Sequence, residues 1–140
     1  MRQVTDWQLW AALLVAPLVW FGLYLALQPV LNLNWSRDHP WLFFKWVLVL
    51  PILEELVFRG LLQDFFQRRI AKRWGAISAA NLITSLIFMG VHFISHPLLW
   101  ATLVIFPSLV FGYFRERHDS LSSPIALHIF YNAGYFLFFI

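Results

Sequence analysis

Two adjacent carboxylates and a guanidinium interrupt a run otherwise apolar enough to lie within a lipid bilayer: Pro51-Ile-Leu-Glu54-Glu55-Leu-Val-Phe-Arg59. A charge at membrane depth costs at least a few kcal/mol, so such groups pair with one another or line a wet site, and chemistry is the first hypothesis. Successive residues of a helix are about 100° apart. Glu55 and Arg59, at i and i+4, therefore share a face while Glu54 points to a neighbouring one. Arg59 neutralises one acid and leaves the other for proton transfer, which makes Glu54 the expected base and Glu55 with Arg59 its support. A buried ion pair that only fixes helix packing is the plainer alternative. It needs one acid per arginine and leaves the second carboxylate unexplained.

Two further apolar runs each carry one deep histidine, in Phe88-Met-Gly-Val-His92 and in His128-Ile-Phe-Tyr-Asn132. His128 and Asn132 are again at i and i+4, so both side chains can donate hydrogen bonds to one place between helices. A single intramembrane histidine is as readily an interhelical hydrogen bond as a catalytic group. Two of them beside Glu-Glu-Arg argue for a site. His39, His96 and His118 fall in loops or turns and receive no role. Other hydrolytic schemes lack their residues. There is no His-Glu-x-x-His helix and no Gly-x-Ser-x-Gly elbow. There is no Cys, and Asp6, Asp38, Asp64 and Asp119 lie near the ends of apolar runs or in loops.

Membrane helices must position these groups. A helix needs about 20 apolar residues to cross the hydrocarbon core, and five runs qualify, roughly 7–27, 41–66, 76–96, 98–114 and 121–140. They are separated by Gln28–Pro40, Gln67–Gly75, a tight Ser95-His96-Pro97 turn and Arg115–Ser120. The expected fold is all-α, a polytopic transmembrane helix bundle of about five spans in one domain over residues 1–140. Its first run is too long for a signal-peptide core and lacks a small-x-small cleavage site, so it reads as a retained span. The 61% hydrophobic and 12% charged composition supports the membrane assignment.

Eight of the ten Lys and Arg lie at the ends of apolar runs or between them, with Lys45 and Arg59 inside the run 41–66, and they form no surface for nucleic acid, which is not expected as a partner. With five spans, Arg2, Arg68, Arg69, Lys72, Arg73, Arg115 and Arg117 fall on one side and Arg37 alone on the other. That asymmetry predicts an integral membrane protein with a cytoplasmic N-terminus and an external C-terminus. Trp7, Trp10, Trp35, Trp41, Trp74 and Trp100 sit near the expected interfaces, where indole rings anchor in the bilayer. The absence of Cys excludes disulfides, thiolate catalysis and Cys lipidation.

Taken in order on successive apolar helices, Glu54-Glu55-x-x-x-Arg59, Phe88-x-x-x-His92 and His128-x-x-x-Asn132 resemble the CAAX-protease and bacteriocin-processing family of glutamic intramembrane proteases. The motif-bearing core covers about residues 41–140, and the span at about 7–27 is an addition. The resemblance implies that Glu54 and His92 hold and activate a water, that His128 and Asn132 stabilise the oxyanion, and that Glu55 and Arg59 order the site. It implies a protein or peptide substrate within or near the membrane, cleaved in its C-terminal or membrane-proximal segment. A bundle this small best fits a bacterial member in the cytoplasmic membrane. The chain is shorter than most relatives, and Phe106 to Gly112 only loosely echoes the region between the last two motifs.

Two alternatives stand beside this expectation. Glu54, His92 and His128 supply three ligands for zinc with a fourth position for water, although the Asn and the missing His-Glu-x-x-His favour chemistry with no cofactor. A non-catalytic immunity or chaperone-like membrane partner would use the polar cluster only to hold helices together. Straight helices counted from the expected span ends leave Glu54, His92 and His128 at different depths, so tilt, a kink at Pro51 or a different boundary near His96-Pro97 is required.

Overall fold

The computed structural model describes residues 3–29 and 34–139. They are helical almost throughout, and each of the five apolar runs forms helix. The chain divides into two compact units, one of the residues up to Leu53 together with those from Ile125 onward, the other Glu54–Pro124.

The first unit opens with the helix Trp7–Leu27, capped by Asp6, whose side chain accepts from the Gln8 N–H at 3.1 Å. It stops at Gln28, which takes a left-handed backbone (φ 43°) and returns its N–H to the Tyr24 carbonyl. This helix is apolar on every side and largely exposed, as a lipid-facing helix is, and it is long enough to cross a membrane. A short helix, Trp35–Asp38, precedes a helical run over 40–67 that changes winding along its length. Two π-helical stretches, Lys45–Val49 and Leu56–Gln63, flank the α-helical turn Leu50–Glu55. Half-buried rings pack together in this unit. Trp20 packs on Phe130 at 5.2 Å between centroids, and Trp46 lies 5.6 Å from Trp35 and 5.2 Å from Phe136. Gly134, in the helix Ser122–Phe138, sits so close to the Trp20 indole that a Cβ there would collide with it.

The second unit packs the end of the 40–67 run against two antiparallel helices, Ala79–His92 and Ile105–His118. Its interior combines Ala80, Phe88, Phe111 and Phe114 with fully buried Glu55, Arg59, Gln63, Thr84, Ser85 and Ser108. A two-residue strand pair, Arg73–Trp74 with Ile77–Ser78, turns at Gly75, which takes a positive φ of 59°.

Two boundaries differ from expectation for local reasons. The run expected over 76–96 is helical only over Ala79–His92. Ile77 and Ser78 belong to the strand pair, and the Ser78 hydroxyl caps the helix by accepting the Asn81 N–H at 2.9 Å. Fourteen residues span about 21 Å, less than the roughly 30 Å of a hydrocarbon core. The loop expected to begin at Arg115 begins later, because helix continues to His118 and ends at Asp119 in the left-handed region (φ 47°). The Asp119 carboxylate accepts from Arg115 at 3.0 Å, and the last turn gathers Arg115, Arg117 and His118 where the helix dipole favours cations. By length and composition two described helices are fit to cross a membrane, Trp7–Leu27 and Leu98–His118, the latter interrupted by a single turn residue, Val104.

Candidate active site

The Glu55–Arg59 pair forms as the spacing predicts. Arg59 Nη1 donates to Glu55 Oε1 at 3.0 Å, with both side chains fully buried. The guanidinium reaches further than its own helix: Nη2 donates to the Ser108 carbonyl at 2.9 Å and to the Ser108 hydroxyl at 2.6 Å. Phe88 and Phe111 cover it, at 4.8 and 5.4 Å from their ring centroids. Arg59 also feels the charge of Glu54, which is only half-buried. One carboxylate is thus sealed beside the cation and the other remains within reach of solvent.

Arg59 begins a ladder of polar groups that sets the register of the three helices. Four residues on, Gln63 Nε2 donates to the Gly112 carbonyl at 3.0 Å, four residues beyond Ser108. The Ser108 hydroxyl donates to Ser85 at 3.0 Å, and the Ser85 hydroxyl donates to Asn81 Oδ1 at 3.1 Å. Gly112 permits this approach, since a Cβ there would overlap the Asn81 amide. The last rung is Glu116, which accepts from Gln63 at 2.8 Å, from Arg73 at 2.7 Å and from the Ser78 hydroxyl. The residue numbers rise together on the 56–67 and 105–118 segments and fall on 79–92, so the last helix runs opposite to the other two.

That register bears on Glu54 and His92. Phe58 meets Phe88 edge-on at 4.9 Å. One turn before Phe58 stands Glu54, and one turn after Phe88, on the antiparallel helix, stands His92, at the same level of the unit. His92 is half-buried, and its Nδ1–H donates to the Phe88 carbonyl at 2.8 Å. In the neutral ring this leaves the lone pair on Nε2, the nitrogen able to accept a proton from water. Within Glu54–Pro124, no three His, Asp or Glu side chains cluster as metal ligands would.

His128 and Asn132 lie on the helix Ser122–Phe138, in the other unit. His128 is buried. Asn132 Nδ2 donates to the Trp46 carbonyl at 3.0 Å, and the winding explains why that carbonyl needs a partner. An α-helix would supply the Leu50 N–H, but π winding diverts it to Lys45; a π-helix would supply residue 51, which is a proline with no N–H. Pro51 and the π-helical turn together strand the carbonyl, and the Asn132 amide satisfies it with one of its two hydrogens.

Sequence reasoning missed Gln63, Asn81, Ser85, Ser108 and Glu116. A signal was present: Glu55, Arg59 and Gln63 recur every four residues, as do Asn81 and Ser85, and polar residues repeating on one face of an apolar helix mark a buried polar seam.

The family model for type II CAAX prenyl endopeptidase, Rce1-like, matches residues 36–134, well over half the chain and inclusive of every motif residue named above. The chain belongs to this family. The Rce1-like family is a membrane-embedded peptidase family, so the substrate class of this Rce1-like chain is protein or peptide. Comparison with curated proteins and with solved structures gives no match.

Proposed function

We propose that this chain is an intramembrane glutamic endopeptidase acting on the C-terminal or membrane-proximal segment of a protein or peptide. The observation that carries the reading is the two-carboxylate arrangement in a chain of a peptidase family: Glu55 is sealed against Arg59, and Glu54 is half-buried four residues before Phe58, whose ring meets Phe88, itself four residues before His92. Glu54 takes a proton from water as its oxygen attacks the substrate carbonyl, and His92 Nε2 helps to hold that water. His128 and Asn132 take the oxyanion; Asn132 retains an amide hydrogen beyond the one given to Trp46. A preorganised donor of this kind is worth on the order of a hundredfold in rate. Protonated Glu54 then returns its proton to the leaving amine. The reaction needs no metal. The bundle is one protease domain of about five spans, with its N-terminus cytoplasmic, in a bacterial cytoplasmic membrane.

Purified protein incubated with a synthetic tail peptide tests this reading. Cleavage is expected from the native chain and is expected to vanish in Glu54→Gln with folding retained. Unchanged cleavage by that variant removes Glu54 as the base, and a native chain that cleaves nothing favours a non-catalytic membrane partner. Full activity after exhaustive chelation is expected; loss of activity restored by zinc would replace the metal-free scheme.

A further inference from the structure

We infer that Ser108 and Ser85 are positioning residues for the hydrolysis, holding the Arg59 guanidinium in the one orientation that seals Glu55 and leaves Glu54 to act; this rests on Glu54 being the base. The hydrogen bonds run in a single sense. Guanidinium has only donors, so the Ser108 hydroxyl must accept from Arg59, at 2.6 Å, and spend its own hydrogen on Ser85, at 3.0 Å. Ser85 then donates to Asn81 Oδ1, which turns the Asn81 amide nitrogen toward the Leu109 carbonyl, where it donates at 2.9 Å. The chain closes on the residue next to Ser108. The result is a ring of hydrogen bonds joining the helices Ala79–His92 and Ile105–His118, with Arg59 as the charged group feeding into it.

This ring does more than satisfy a buried cation. Two carboxylates lie within the electrostatic reach of Arg59, and the direction of its planar fork decides which of them it neutralises. With Nη2 fixed on Ser108 and the flat faces covered by Phe88 and Phe111, Nη1 is aimed at Glu55. Without the Ser108 hydroxyl only the Ser108 carbonyl still holds Nη2, and the fork is freer to turn toward Glu54 and to neutralise the base. Neither serine is placed against substrate, so the effect belongs in kcat and not in KM.

The test is steady-state cleavage of one tail peptide by purified variants, each checked for folding by its thermal midpoint. Ser108→Ala is expected to lower kcat on the order of tenfold, the weight of one hydrogen bond to a charged group, with KM within about twofold. Ser108→Thr, which keeps the hydroxyl, is expected to recover most of it. Ser85→Ala is expected to act in the same direction, and the double variant to be no worse than Ser108→Ala alone, because Ser85 works through Ser108. A folded Ser108→Ala protein with native kcat overturns the inference, as does an additive double variant. Should Ser108→Ala fail to fold, Ser85→Ala, which does not touch Arg59, carries the same test, and native kcat there is equally decisive against it. Glu54→Gln is measured alongside. Cleavage persisting in that variant removes the base assignment and this inference together, whereas cleavage lost there but undiminished in the serine variants removes this inference alone.

Discussion

The two units hold their helices together by different means. In Glu54–Pro124 a seam of hydrogen bonds runs through the buried interior, among Ala80, Phe88, Phe111 and Phe114, with Arg59, Gln63, Asn81, Ser85 and Ser108 all sealed from solvent. In the other unit half-buried rings pack on one another, Trp20 on Phe130 and Trp35, Trp46 and Phe136 in mutual contact. A glycine permits the closest approach in each, yet Gly112 admits an amide and Gly134 an indole. Lipid tails are as apolar as leucine, so burial of apolar surface does not drive membrane helices together, and either polar bonds or close packing must do so. Hydrogen bonds set direction and register, because a misaligned donor is left unsatisfied in a medium with no water. Rings tolerate a slide or a tilt. The half that carries the acid pair is therefore the half whose geometry is pinned.

The sharpest way to break this contrast is to remove the cation. Arg59→Met leaves Glu55 buried beside an apolar chain, and a loss of about 3–5 kcal/mol is expected, read as a fall in the thermal midpoint of the detergent-solubilised protein. Phe136→Leu, in the aromatic unit, is expected to stay below about 1.5 kcal/mol; a larger loss from Phe136→Leu than from Arg59→Met would invert the comparison.

The glycines sharpen it. Gly112→Ala and Gly134→Ala should each destabilise by about 1–3 kcal/mol through overpacking. Trp20→Phe is expected to rescue Gly134→Ala, since a smaller ring can shift. Asn81→Ala opens equal room above Gly112 but forfeits the bonds to Ser85 and Leu109, so little recovery is expected there. Equal rescue at both sites would show that the polar seam contributes no more than shape. The smallest effect belongs to the ladder's outer end. Arg73 is half-exposed in its pair with Glu116, and Arg73→Gln should cost less than about 1 kcal/mol and shrink further in high salt.

Much of the local structure was legible beforehand. The five apolar runs are helical, and Glu55 meets Arg59 because i,i+4 neighbours on a helix have no choice of face. The Ser78 cap and the left-handed stop at Asp119 move two boundaries by a few residues, through side-chain bonds that a count of apolar residues does not register. The π winding around Leu50–Glu55 left no mark in composition, although Pro51 hinted that a backbone bond would be missing near the acid pair. Ser85 and Ser108 were the least visible. Serine is small enough to pass in any apolar helix, and its importance depends wholly on which side chain stands opposite.

By itself the sequence determined the membrane character, the helices and the pairing of Glu55 with Arg59, all consequences of composition or of spacing within one helix. Tertiary structure alone decided that Arg59 ends on Ser108, 49 residues away, that Ser108 passes its hydrogen to Ser85, 23 residues back, and that Asn132 serves the carbonyl of Trp46. The physical reason is the reach of a hydrogen bond. A donor and acceptor must come within about 3 Å at a narrow angle, and whether residues far apart in the chain do so depends on the direction and register of their helices.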